Sequence, residues 1–144
     1  MKLFLILSLA VLAFAPLTFA SDNHPQDELF VVLTSGDAET QMMALVLATQ
    51  SFNQDVPVRI LLCSEAGDLA LKNAESPAFK PADRSPKQLL MNLMNNGATV
   101  EVCGIYLPNR EHLSAADLLE GVGTARPPEV AAYMKQPHVR YFSF

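Results

Sequence analysis

The sequence predicts an α/β fold, a three-layer α/β/α sandwich built on a mainly parallel sheet of about five strands. Three observations predict it. Short, continuous apolar runs rich in β-branched residues recur along the chain, the pattern of strands buried on both faces. Segments with apolar residues at helical spacing lie between them. The strand-to-strand connections are long enough for crossover helices, which pair strands in parallel and run right-handed.

The elements follow in order. Residues 1–20 stand apart from the fold. Met1-Lys2 is a short positive start, residues 3–15 are almost purely apolar, Pro16 breaks the run, and Thr18-Phe19-Ala20 offers a small-residue cleavage site before Ser21. That is the pattern of a secretory signal peptide, with the periplasm as the expected destination. The apolar run is shorter than the ~20 residues of a spanning helix and carries a proline, which argues against a membrane anchor. No cysteine follows it, so no lipid-modified N-terminal cysteine is expected. Residues 21–144 are then a single α/β domain.

Within that domain, Leu29-Phe30-Val31-Val32-Leu33-Thr34 reads as a doubly buried strand ended by Ser35-Gly36-Asp37. A helix is expected over 38–53, with Met42, Leu45, Val46 and Thr49 as its buried stripe, widened by Met43 and Leu47. That breadth suggests cover beyond the sheet alone, as from another subunit. Residues 56–62 give the second strand, with Pro57 near its start, where a missing N–H is tolerated. Cys63 closes it. Residues 64–84 form a long connection with one helical turn expected near 69–73; loops of that length are often functional. Ser85-Pro86 opens a helix with an N-cap and a proline at the first helical position. Leu89, Leu90, Leu93 and Met94 are its buried stripe, and Gly97 stops it. Residues 98–103 are the third strand. Ser114 to Asp117 resembles a capping box that starts a short helix ended by Gly121. Residues 122–124 give a brief strand, Pro127-Pro128 starts a last helix through Met134, and residues 139–142 close the sheet.

Composition narrows the function. The chain has 144 residues, half of them hydrophobic, a formal net charge of −5, and two cysteines. One domain of that make-up is neither disordered nor a disulfide-dense scaffold. Lys and Arg are not clustered, as contact with nucleic-acid phosphates requires, so no nucleic-acid partner is expected. There is no G-x-G-x-x-G, no P-loop and no G-x-S-x-G. His24, His112 and His138 are scattered without metal-ligand spacing, and no metal or cofactor is expected. Ser35-Gly36 either cradles an anion at a helix N-terminus or is a plain turn in which Asp37 caps the helix, the simpler reading.

The cysteines hold most of the remaining interest. Cys63 and Cys103 both fall at C-terminal strand ends, the edge of an open α/β sheet where ligands bind. Gly104 leaves room for the backbone beside Cys103 to bend and expose its sulfur. Glu101, two residues back on the same face, works against thiolate formation. The ordinary alternative for each cysteine is a small buried hydrophobe. If the second and third strands are neighbours, the two Cα atoms lie ~4.8 Å apart, inside the ~4.4–6.8 Å range of a disulfide. A bond there is worth ~4 kcal/mol in the chain-entropy account. Strand-end geometry is demanding, and two separate thiols are expected.

With these residues in view, the chain resembles the DsrE/DsrF-like family. The likeness runs through residues 29–36, 56–67 and the strand end Gly97-Ala98-Thr99-Val100-Glu101-Val102-Cys103, and covers about residues 28–144. In sulfur-relay members the cysteine at this strand end accepts and passes on a persulfide sulfur, and that position matches Cys103. The resemblance implies sulfur donor and acceptor proteins as partners and a homo-oligomer, trimeric or hexameric, and at most a carrier or transferase subunit as an enzyme. It assigns no role to Cys63, and a leader peptide is a departure from its cytoplasmic members. Cys103 is thus the candidate catalytic residue, with Ser35, Gly36, Cys63 and Gly104 as candidate binding residues. The alternative is a non-catalytic module of the same fold that binds a small ligand or supports assembly.

Overall fold

A computed structural model describes residues 26–144; the expected leader over 1–20 lies outside the described residues. Five strands, β1 (Glu28–Leu33), β2 (Val58–Leu62), β3 (Thr99–Cys103), β4 (Gly123–Ala125) and β5 (Val139–Ser143), form one sheet in the order β4-β3-β2-β1-β5. Every pairing is parallel. The helices are α1 (Ala38–Phe52), α2 (Pro86–Asn95) and α3 (Pro127–Tyr133). Two 3-10 segments, Ser64–Ala70 and Ala115–Asp117, fill the connections. This is the expected α/β sandwich.

The strand order decides which face each helix covers. From β1 to β4 the chain steps in one direction, and it then crosses the whole sheet to place β5 beside β1. Crossovers of one hand that run in opposite directions put their helices on opposite faces. One face therefore carries Leu29, Val31, Leu33, Ile60, Leu62, Val100 and Val102, packed with Ala44, Leu45, Leu90 and Leu93 of α1 and α2. The other carries Phe30, Leu61, Ala125 and Val139, packed with Val130 and Tyr133 of α3. The first layer is broad. The second rests on a helix of seven residues.

Helix α1 differs from expectation in its buried stripe. Gln41, Ala44, Leu45 and Ala48 face inward, while Met43 is 55% and Leu47 49% exposed. Met42, Val46 and Thr49 are half-buried. The physical reason is that α1 is apolar nearly all round, so periodicity alone does not select a face. Two alanines then let the backbone approach the sheet closely. Asp37 caps the helix, its Oδ1 accepting from the Thr40 amide at 2.8 Å. Helix α2 begins as expected: Ser85 Oγ accepts from the Gln88 amide at 3.2 Å and Gln88 Oε1 accepts from the Ser85 amide at 2.9 Å, a reciprocal capping box. Gly97 follows it at φ +106°, a left-handed geometry that suits glycine.

Two connections also depart from expectation. The turn expected at 69–73 forms earlier, over Ser64–Ala70. Tyr106 sets it there: its ring lies against Gly67, and its hydroxyl donates to Asp68 Oδ1 at 2.7 Å. The capping box at Ser114 forms, with its amide donating to Asp117 Oδ2 at 2.8 Å, but the helical segment ends at Asp117 rather than near Gly121. The Leu118 backbone is already extended, and an isolated antiparallel bridge pairs Leu118 with Leu71.

Gly67 tests this packing. A Cβ added there would lie 2.1 Å from Tyr106 Cε2, on a ring that is 2% exposed and has no room to yield. We expect Gly67→Ala to lose at least ~1–3 kcal/mol, the usual cost of overpacking. Urea unfolding reads this as a lower midpoint at unchanged slope, and an unchanged midpoint would refute the packing account.

Candidate functional site

The carboxyl ends of β1, β2, β3 and β4 share one edge of the sheet. Leu33 pairs with Leu62, Leu62 with Val102, and Cys103 with Ala125. The Cys63 amide donates to Leu33 O at 2.9 Å, so the ladder continues one residue past β2. On its other side β2 is paired with β3 up to Leu62 and Val102, so Cys63 and Cys103 follow at adjoining strand ends and their thiols interact. Side chains alternate along a strand, so both cysteines share the α3 face with Leu61 and Glu101, and both pack against the Phe30–Leu61–Ala125–Val139 cluster. Each is a free thiol and half-buried.

The two thiols differ in surroundings. Burial pushes Cys63 up to about 12, and the neighbouring Cys103 thiol, by hydrogen bonding and by charge, pushes the same way. Cys63 therefore keeps its proton through the neutral range. Cys103 lines an open apolar cleft of about 330 Å³, together with Leu61, Ile105, Ala125, Val130 and Met134. Ile105, at the turn beyond Cys103, is 68% exposed. Gly104 is needed here for close approach rather than for a left-handed bend: a Cβ would sit 2.8 Å from Ala125 O.

A clamp joins the two segments that leave the cysteines. The Tyr106 amide donates to Cys103 O at 2.8 Å, and its hydroxyl holds Asp68, in the segment after Cys63. Arg110 covers the Tyr106 ring with its guanidinium 4.1 Å from the centroid, and its Nη2 donates to Ser64 O at 3.1 Å. Burial, with the Asp68 carboxylate in second place, raises the Tyr106 hydroxyl above the usual tyrosine range. It stays a neutral donor.

The carboxylate of Glu101, expected to oppose a thiolate at Cys103, is engaged elsewhere. Arg59 Nε and Nη2 meet its Oε2 at 2.8 and 2.7 Å. Arg59 also lies 4.6 Å from the centroid of the Tyr133 ring, and Tyr133 donates to Glu28 Oε2 at 2.5 Å. The positive charge of Arg59 offsets that of Glu101 beneath α3. The signal for this pair is present in the sequence as single charges inside the apolar runs Val58-Arg59-Ile60 and Val100-Glu101-Val102.

Gly36 lies in a separate depression, with Ser35 next to it in the chain. Gly36 lines it together with Gln41, Glu65, Asp68 and Glu75, and Gln41 Nε2 donates to Ser35 O at 2.9 Å. The side chain of Asp37 occupies the α1 cap, and hydrogen bonds from the Thr40 amide and hydroxyl hold its carboxyl below the usual range. The structure thus brings Cys63, Cys103 and Gly104 together and sets Ser35 and Gly36 apart beside acidic side chains. The cleft wall from α3 was missed from the sequence; its one signal is Val130 and Met134 at i, i+4.

No family model matches the chain, and no curated protein matches it in sequence. Solved structures do match in fold. The ychN protein from E. coli superposes with a TM-score of 0.68 at 19% identity, over 83% of this chain and 100% of that one. A protein of unknown function from Methanobacterium thermoautotrophicum, MTH1491, gives 0.60 at 16% identity, over 82% and 100%. The chain shares the fold of these two proteins. At these identities the likeness carries architecture alone.

The Cys63 thiol has a pH signature of its own. With a value of about 12, Cys63 should alkylate roughly fifty- to a hundredfold more slowly at neutral pH than an ordinary thiol of pKa ~8.5, after allowance for the greater nucleophilicity of a more basic thiolate. Its rate should climb about tenfold per pH unit between roughly pH 7 and 10 without levelling, as the thiolate fraction does. Timed alkylation with peptide mapping checks this; a plateau inside that window would show that Cys63 ionises more readily than its burial implies.

Proposed function

We propose that this protein is an exported sulfur carrier in which Cys103 accepts a sulfane sulfur as a persulfide and passes it to an acceptor. One observation carries the reading: Cys103 ends β3 as a free thiol on an open apolar cleft at the ligand-binding edge of the sheet. The low polarity of that cleft shields a persulfide from water, and its openness admits a donor or acceptor. The resemblance of the Gly97–Cys103 segment to the DsrE/DsrF-like strand end supports the same residue. In uptake, the Cys103 thiolate attacks a sulfane sulfur, a new S–S bond forms, and the donor leaves with the bonding pair as its own thiolate or sulfide. A second reading, a non-catalytic module holding a small apolar ligand, draws on the same apolar lining.

Reduced protein treated with inorganic polysulfide and then desalted tests the carrier reading. The Cys63→Ser variant should gain the mass of one sulfur on the peptide bearing Cys103. The Cys103→Ser variant should gain it more slowly, because burial still holds the proton on its remaining thiol. No gain in the Cys63→Ser protein would move the assignment to the second reading.

The reading includes export and assembly. Cleavage after Ala20 leaves Ser21 as the first residue of a periplasmic protein. Met43 and Leu47, half-exposed on α1, support association between copies of this chain. Protein recovered from the exported fraction should begin at Ser21 and scatter light as more than one copy; an uncleaved leader or a strictly monomeric mass would remove the corresponding part.

A further inference from the structure

We propose that Cys63 is a release residue: it attacks the persulfide on Cys103 and frees the carried sulfur as hydrosulfide, leaving a Cys63–Cys103 disulfide. The inference rests on the carrier reading and adds a product and a second chemical role to the site.

The geometry sets the two thiols side by side on one face. The β2–β3 register runs to Leu62 and Val102, the residues just before Cys63 and Cys103, and the two thiols that follow are within hydrogen-bonding reach of each other. Paired strands lie ~4.8 Å apart, inside the ~4.4–6.8 Å between the Cα atoms of a disulfide. Both side chains are on the α3 face. The Tyr106–Asp68 hydrogen bond and the Arg110–Ser64 contact hold together the segments that leave the two cysteines. The environments are also unequal in the useful sense. Cys103 opens on the cleft, which has room for an outer sulfur, whereas Cys63 is not among the cleft-lining residues and neighbours Cys103 along the strand edge.

The step balances without an added reagent. The persulfide is Cys103–Sγ–S⁻ and Cys63 carries a thiol. A bond forms between Cys63 Sγ and Cys103 Sγ, and the bond from Cys103 Sγ to the outer sulfur breaks. The outer sulfur departs with that electron pair, takes the proton that Cys63 gives up, and leaves as HS⁻. The sulfane sulfur is reduced by two electrons and the cysteine pair is oxidised by two. An external dithiol, itself oxidised to a disulfide, then restores the pair. Because Cys63 holds its proton strongly, release should quicken with rising pH and leave a loaded protein long-lived enough at neutral pH to meet an acceptor first.

The test loads the full chain with inorganic polysulfide, desalts it, and follows intact mass together with free hydrosulfide. Wild-type protein should pass from the sulfur-loaded mass to one that lacks two hydrogens relative to the dithiol form, releasing one hydrosulfide per chain at a rate independent of protein concentration. A dithiol reductant should return it to the starting mass. Cys63→Ser and Cys63→Ala should both keep the sulfur at least about tenfold longer, in line with loss of the attacking thiolate. Equal lifetimes in wild type and variants would overturn the proposal, as would loss of sulfur from wild type without the Cys63–Cys103 link. If neither wild type nor variant takes up sulfur, the carrier reading itself fails and this inference falls with it.

Discussion

The in-register parallel pairing of β2 with β3 is the constraint on which the site depends. Ile60 opposes Val100 and Leu62 opposes Val102, so the same register that buries these side chains against α1 and α2 must place Cys63 next to Cys103. A slip of one residue would turn the apolar set of one strand toward the wrong face. The core therefore enforces the adjacency of the thiols with all the free energy of its own burial. The Tyr106–Asp68 and Arg110–Ser64 contacts refine the arrangement beyond the sheet edge, where the ladder no longer acts.

The second organising fact is the reversal of direction at β5. Because the chain crosses back over the sheet to reach the outer side of β1, α3 is the cover on the face that carries the cysteines. A charged pair is also housed there. Arg59 and Glu101 are each 17% exposed in their side chains, and Tyr133 and Glu28 extend the network. Removing one partner of such a pair costs far more than the pair contributes, since a lone charge is left poorly solvated. The apolar cleft and the ionic network thus divide one face between them, with the thiols at the cleft end.

Much of this was legible in the sequence because the signals were local. Continuous runs such as Leu29 to Leu33 mark doubly buried strands, Ser85-Pro86 with Gln88 marks a capping box, and Asp37 marks a cap. The placement of both cysteines at strand ends followed from those same boundaries. What escaped depended on distant partners. The inward face of α1 is chosen by the sheet, not by its own pattern, since Met43 and Leu47 are as apolar as Leu45. The turn at Ser64–Ala70 is set by Tyr106, some forty residues on. The pairing of Arg59 with Glu101 requires the β2–β3 register, and the cleft wall requires knowing that α3 crosses back.

The thinness of the α3 layer has a consequence for access. Proteins open in cooperative parts, and the parts with least buried apolar area open most readily. Here the cover of the thiol face and the edge strand β5 that follows it form one contiguous stretch of chain, while the larger core belongs to α1 and α2. Lifting that stretch would uncover Cys63 without dissolving the layer that holds the β2–β3 register. Subglobal opening of that stretch would expose the rest of the half-buried Cys63 at a free energy below that of unfolding.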